Sequence, residues 1–166
     1  MRRLCCVILV GCLVLTFATL ATAGGRRSHY TFTSLNQFAD PANLFAYMAP
    51  TADGWLISKH LQIVGDYTRT LKGRTESGDL KITVGGRISA DFANAQVYGL
   101  VSLDLDGGVS CAGWFSGKRV DYLESIRMLM SCTDGTFDRS QFEFLADPTA
   151  LEWEISGTGT VMAPRN

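Results

Sequence analysis

The sequence predicts an all-β domain: an antiparallel meander that forms a barrel-like or sandwich domain, with one short N-terminal helix. Three observations carry this. Apolar residues alternate with polar ones in run after run from Trp55 to Val161. Gly pairs and Asp-Gly steps separate the runs, as tight turns require. The clearest runs, Gly78 to Cys132, hold Cys111 and Cys132. The unbroken succession of hairpins favours the barrel-like form, although a two-layer sandwich would also bury one face.

The first segment is a leader rather than part of the fold. Met1-Arg2-Arg3 is a positive start, Leu4 to Leu20 is an uncharged apolar run, and Ala21-Thr22-Ala23 is an A-x-A cleavage site. Together they predict a signal peptide over 1–23 and export to the periplasm or outside the cell. Leu9-Val10-Gly11-Cys12 also fits a lipobox, which would make Cys12 a lipidation site, and the run is long enough to stay as an anchor. No second apolar segment follows, so no membrane span is expected once the leader is cleaved.

Composition bounds the rest. The 166 residues suffice for one domain with a hydrophobic core. Charged residues at 19% against 46% hydrophobic predict a folded chain rather than a disordered one. There are 15 basic and 16 acidic residues; without Arg2 and Arg3, 13 basic remain against 16 acidic, a net charge of −3. That balance offers no footprint for nucleic acid.

Residues 24–28 read as a flexible tail and 29–162 as the domain. His29 to Thr33 alternates as a first strand. Asp40-Pro41 opens the helix, with Asp40 as its cap and Leu44, Phe45 and Met48 as its buried stripe. Pro50 stops it, and Asp53-Gly54 turns into a strand at Trp55. Gly65–Arg74 and Gly78–Arg87 match at half their positions, as two successive strands of one meander would. Asp106-Gly107-Gly108 is a hairpin turn. Tyr122, Ile126, Met128, Met130 and Cys132 alternate as a strand, although Val120, Leu123, Ile126 and Met130 also permit a helix. Phe137, Phe142 and Phe144 follow, then a turn at Asp147-Pro148 and a half-buried strand through Leu151, Trp153 and Ile155. Residues 163–166 read as a C-terminal tail.

The leader takes three cysteines with it. The remaining pair, Cys111 and Cys132, reads as a disulfide in an exported protein, closing a loop of about 20 residues. That reading also removes a Cys111–His60 nucleophile. Neither His29 nor His60 sits in a metal-ligand spacing, and no metal or cofactor is expected. The string around Ser110 departs from a nucleophile elbow by having Ala112 in place of Gly. Asp104 and Asp106 read as wet strand positions rather than a calcium loop. Glu152 and Glu154 lie two apart on one strand face, so they cannot flank a substrate bond.

Among aromatics, Trp114-Phe115 stands out, because adjacent strand residues face opposite sides and one of them should face outward. The function expected from this is a non-catalytic exported β-domain binding a protein or cell-envelope partner. Trp114, Phe115 and Trp55 are its candidate contact residues, and no catalytic set is identified. A second reading is a small barrel carrying an apolar ligand, lipocalin-like in use, although Gly54-Trp55 lacks the G-x-W spacing of that group. An eight-stranded outer-membrane barrel and a secreted hydrolase are two further readings.

Overall fold

The computed structural model describes residues 26–147 and 149–163. The predicted leader with Cys12, residues 24–25, Pro148 and residues 164–166 lie outside them.

The chain begins with β1 (Arg27–Phe38), a 3-10 helix (Pro41–Tyr47) and a short β2 (Met48–Thr51). There follow β3 (Gly54–Leu71), β4 (Arg74–Ser89), β5 (Ala95–Leu105), β6 (Ser110–Val120), β7 (Leu123–Cys132), β8 (Phe137–Leu145) and β9 (Glu152–Met162). Each strand from β3 to β9 pairs antiparallel with the next. β1 closes the ring by pairing with β9 on one side and with β3 on the other. The result is a closed eight-stranded barrel, not a sandwich. β2 stands outside the ring of eight, on the same edge of β3 as β1 but opposite Gly54–Ile57.

Period-two alternation supplies the wall. On β1, Tyr30, Phe32, Ser34 and Asn36 are buried inside while Thr31, Thr33, Leu35 and Gln37 are exposed. The middle of the barrel is filled. Phe32 stacks on Tyr67 at 5.3 Å and meets Phe142 edge-on at 5.6 Å, and Leu80, Leu103 and Met128 are fully buried around them. Between Ile57 and Leu61, β3 carries three residues where β4 carries one, Gly85. The excess is even, so Ile57 and Leu61 both stay inward.

Several local expectations need correction. Arg27 and Ser28, assigned to the tail, pair with Met162 and Val161 as the first rungs of β1. The helix is 3-10, and Asp40 makes no side-chain cap; its carboxylate accepts from the Asn43 side chain instead. Seven residues pinned between two strands have no room for an α-helical stripe: Phe45 is exposed, while Leu44 and Met48 are half-buried. Pro50 does not merely stop the helix. It sits in β2, an edge strand where its missing N–H is harmless. Tyr122 belongs to the β6–β7 turn rather than to the buried alternation. Asp121 and Tyr122 hold φ of 49° and 68°, the geometry of a two-residue hairpin, without a glycine.

Antiparallel order sorts the loops to two ends. The Lys72–Gly73 turn, the Asp106–Gly108 turn and the Cys111–Cys132 disulfide gather at one. The helix, the loop Ala90–Asn94, the Asp121–Tyr122 turn and the β8–β9 connection gather at the other. There the wall parts. The β8–β9 ladder runs from Phe137↔Met162 to Phe142↔Gly157; beyond it, Glu143–Leu145 pair with β7 and Glu152–Ser156 pair with β1.

Candidate functional site

At the parted end the barrel holds a cavity of about 200 Å³. Its wall is mostly apolar, with Leu61, Ile82, Val97, Phe115, Ile126 and Ile155 prominent, and Leu145, Asp147 and Trp153 also line it. The inward face of alternate strand positions creates this lining, and the filled aromatic centre forms its floor.

Four polar side chains interrupt the apolar wall; Asp147 is exposed at the rim, where it accepts from the Thr149 N–H and hydroxyl. Asn36 is satisfied: its amide donates to Ser34 O and Trp153 O, and its Oδ1 accepts from the Ser34 hydroxyl. Arg119 and Glu124 are direct cross-strand partners on β6 and β7, brought together by the Asp121–Tyr122 turn. Arg119 Nε donates to Glu124 Oε2 at 2.7 Å and Nη1 donates to Phe92 O at 3.1 Å. Glu124 is only 2% exposed, and its Oε1 has no hydrogen-bond partner among the described residues. That oxygen lies over Gly117: a Cβ there would sit 3.1 Å from it and 2.2 Å from Ile126 Cδ1. The absent side chain therefore leaves the space that Glu124 and Ile126 occupy.

The loop that supplies Phe92 O is tied down locally. Asp91 accepts from the Ser89 hydroxyl at 2.5 Å and from Ala93 N–H at 3.0 Å. The Ser89 bond, then the Ala93 bond, hold the Asp91 carboxyl below the usual carboxylate range. The Tyr122 hydroxyl donates to Asp91 O at 3.1 Å, which links the hairpin turn to this loop.

A second polar cluster lies inside the disulfide end. The Tyr30 hydroxyl donates to Asp138 Oδ1 at 2.5 Å. Arg69 donates from Nη1 to Asp138 Oδ2 at 2.9 Å and from Nε to Glu76 Oε2 at 2.7 Å. Its guanidinium also stands 5.3 Å from the centre of the Tyr30 ring. Burial pushes the Tyr30 and Tyr67 hydroxyls upward, so both stay protonated. Burial works against the Arg69 charge, but the Glu76 bond and both carboxylates outweigh it and raise its affinity for the proton. Asp138 shares that one guanidinium with Glu76. Burial of Asp138 prevails over the Tyr30 and Arg69 contacts, and its carboxyl is raised.

The sequence-selected residues separate. Phe115 is buried in the cavity wall, so it offers no outward contact surface. Trp114, its neighbour, faces outward at 51% exposure. Trp55 is half-buried near the parted end, 6.3 Å from the Phe45 ring. The three do not form one site. Cys111 and Cys132 are bonded across β6 and β7, at the opposite end. Asp104, Asp106, Glu152 and Glu154 are all exposed, and His29 Nδ1 lies 3.1 Å from the Thr160 hydroxyl at the surface.

Comparison with protein-family models, with curated proteins and with solved structures finds no match for this chain.

Sequence reasoning missed Arg119, Glu124, Tyr30, Arg69 and Asp138. Arg119 and Glu124 carried a signal, since both fall on the inward parity of their strands. It was masked because Asp121-Tyr122 lacks the glycine that marks a turn. For Arg69 and Asp138, 69 residues apart in the chain, only barrel closure makes them neighbours.

Proposed function

We propose that this protein is a container for a small apolar molecule, held inside the barrel at its parted end. The supporting observation is the cavity itself: an apolar wall around about 200 Å³, beside a seam where β8 and β9 no longer pair. An apolar cavity of about 150 Å³ takes benzene, so a compact ring or short-chain compound matches this one.

A second reading keeps the binding of a protein or envelope partner. Leu100, Trp114 and Leu129 form one cross-strand row on the outside of β5, β6 and β7. Leu100 and Trp114 are exposed at 67% and 51%, and Tyr98 beside them at 50%. A clustered apolar row of this kind favours contact with another surface.

An outer-membrane barrel and a hydrolase fit less well. The outward positions carry exposed Asp79, Lys81, Lys118, Arg127, Arg139 and Glu143, while the interior is mostly apolar apart from the Tyr30–Asp138–Arg69 and Arg119–Glu124 clusters. That is the reverse of a lipid-facing barrel and suits an aqueous exported compartment such as the periplasm or the exterior. For a hydrolase, Asp138 is closed inside the wall, with Tyr30 and Arg69 upon it.

Native mass spectrometry of the protein recovered from an exported fraction tests the container reading. A constant extra mass on the folded monomer, lost on denaturation, supports it. A clean mass, together with no uptake of any small aromatic compound, overturns it.

A further inference from the structure

We infer that the cavity selects an uncharged ligand carrying a hydrogen-bond donor, a hydroxyl above all, and that Glu124 Oε1 is the group that receives it. This rests on the container reading and adds the chemical class of its occupant. Buried polar atoms in folded proteins almost always have a partner, and a buried carboxylate oxygen without one carries a desolvation cost. Of the cavity's polar groups, Asn36 is satisfied by Ser34 and Trp153, and two Arg119 nitrogens are taken by Glu124 Oε2 and Phe92 O. Among the described residues, Glu124 Oε1 is the buried polar side-chain atom of the wall that has no partner. As the second oxygen of a carboxylate paired with the Arg119 guanidinium, it accepts and does not donate.

Charge narrows the class further. Arg119 and Glu124 already neutralise one another at 2.7 Å. Asp147 stands exposed at the rim, so an ammonium carried inward to Glu124 would add an uncompensated charge to the apolar enclosure, and a carboxylate ligand would set a further anion against Glu124 and Asp147. A neutral hydroxyl does neither. It offers one donor to Oε1 and leaves its apolar body against Val97, Phe115 and Ile126. The missing side chain at Gly117 makes the room in which that oxygen and Ile126 Cδ1 sit against the wall.

Calorimetric titration of the disulfide-bonded protein with four compounds of one size, ethylbenzene, benzyl alcohol, benzaldehyde and benzylamine, tests this. Benzyl alcohol is expected to bind about tenfold or more tightly than benzaldehyde, which accepts but cannot donate. It should also exceed benzylamine, which is protonated at neutral pH. In Glu124→Gln, whose amide offers a donor, the preference for the alcohol over the aldehyde should shrink about tenfold or invert. Equal binding of alcohol and aldehyde, or tighter binding of the aldehyde or the amine, overturns the inference while leaving the container reading in place. If none of the four binds, ethylbenzene included, the container reading falls and this inference with it. The comparison among ligands uses the unaltered protein, so it stands even if Glu124→Gln fails to fold.

Discussion

Tyr30 reaches Asp138 across the backbone of Gly159. β9 lies between β1 and β8, and in its register Gly159 is the residue paired with both Tyr30 and Ser140. A Cβ at Gly159 would stand 2.1 Å from Tyr30 Cζ, so the ring occupies the space the glycine leaves. The hydroxyl then meets the Asp138 carboxylate beyond it, and Arg69 closes the cluster from β3.

Gly159→Ala should therefore destabilise the barrel by about 1–3 kcal/mol, because the new methyl must displace a packed ring. Tyr30→Phe, which keeps the ring and deletes the bond to Asp138, should cost about 1.5–3 kcal/mol. Urea unfolding of both variants checks this. A Gly159→Ala protein as stable as the parent would mean that the ring does not depend on this space.

Asp138 gives a pH dependence with a defined sign. Its carboxyl is raised from an ordinary value of 3.8, so the folded protein binds that proton more tightly than the unfolded chain. The associated stability is full below the unfolded value and is lost as pH rises through the raised folded one. Measured as the difference between the parent and Asp138→Asn, stability should fall as pH increases upward from about 4. Urea titrations of the two proteins from pH 4 to pH 7 give this difference. A flat or rising difference would show that Arg69 keeps Asp138 ionised throughout.

Trp114 and Phe115 are neighbours on β6 with opposite expected costs. Trp114→Ser changes an exposed outer position and should move stability by no more than about 0.5 kcal/mol. Phe115→Ala empties part of the cavity wall and should cost about 3–5 kcal/mol. Thermal unfolding of the pair distinguishes them. Partner capture lost with Trp114→Ser at unchanged stability would support the second functional reading.

Cys111 and Cys132 close a loop with a sequence separation of 21. Their removal as Cys111→Ser with Cys132→Ser should cost about 3 kcal/mol by loop entropy. The β6–β7 ladder from Ala112↔Ser131 to Val120↔Leu123 does not depend on the bond, so the barrel should still form. Circular dichroism of the double variant, alongside its unfolding curve, tests both parts.

How much of this was legible depends on how local the signal was. The alternation around Tyr30, Phe32, Leu103 and Met128 announced buried strand faces, and the cysteine pair announced its own bond. Phe45 was misread because a helical stripe looks the same in sequence whether seven residues form a loose 3-10 turn or a packed helix. Tyr122 was misread because a positive φ on a non-glycine residue leaves no trace in composition. The candidate site suffered from the same turn: without it, Arg119 and Glu124 could not be placed opposite each other.

The sequence by itself determined the all-β class, the succession of hairpins from Trp55 to Val161, the Cys111–Cys132 pairing and the opposite facing of Trp114 and Phe115. These follow from a side-chain period of two and from cysteine chemistry, which act over a few residues or by elimination. The tertiary structure alone decided that β1 closes the ring between β3 and β9, that the wall parts beyond Phe142↔Gly157, and that Arg69 meets Asp138 inside. Closure and register bring together residues far apart in the chain, and the energy that selects them comes from burying one shared interior, which no short stretch of sequence contains.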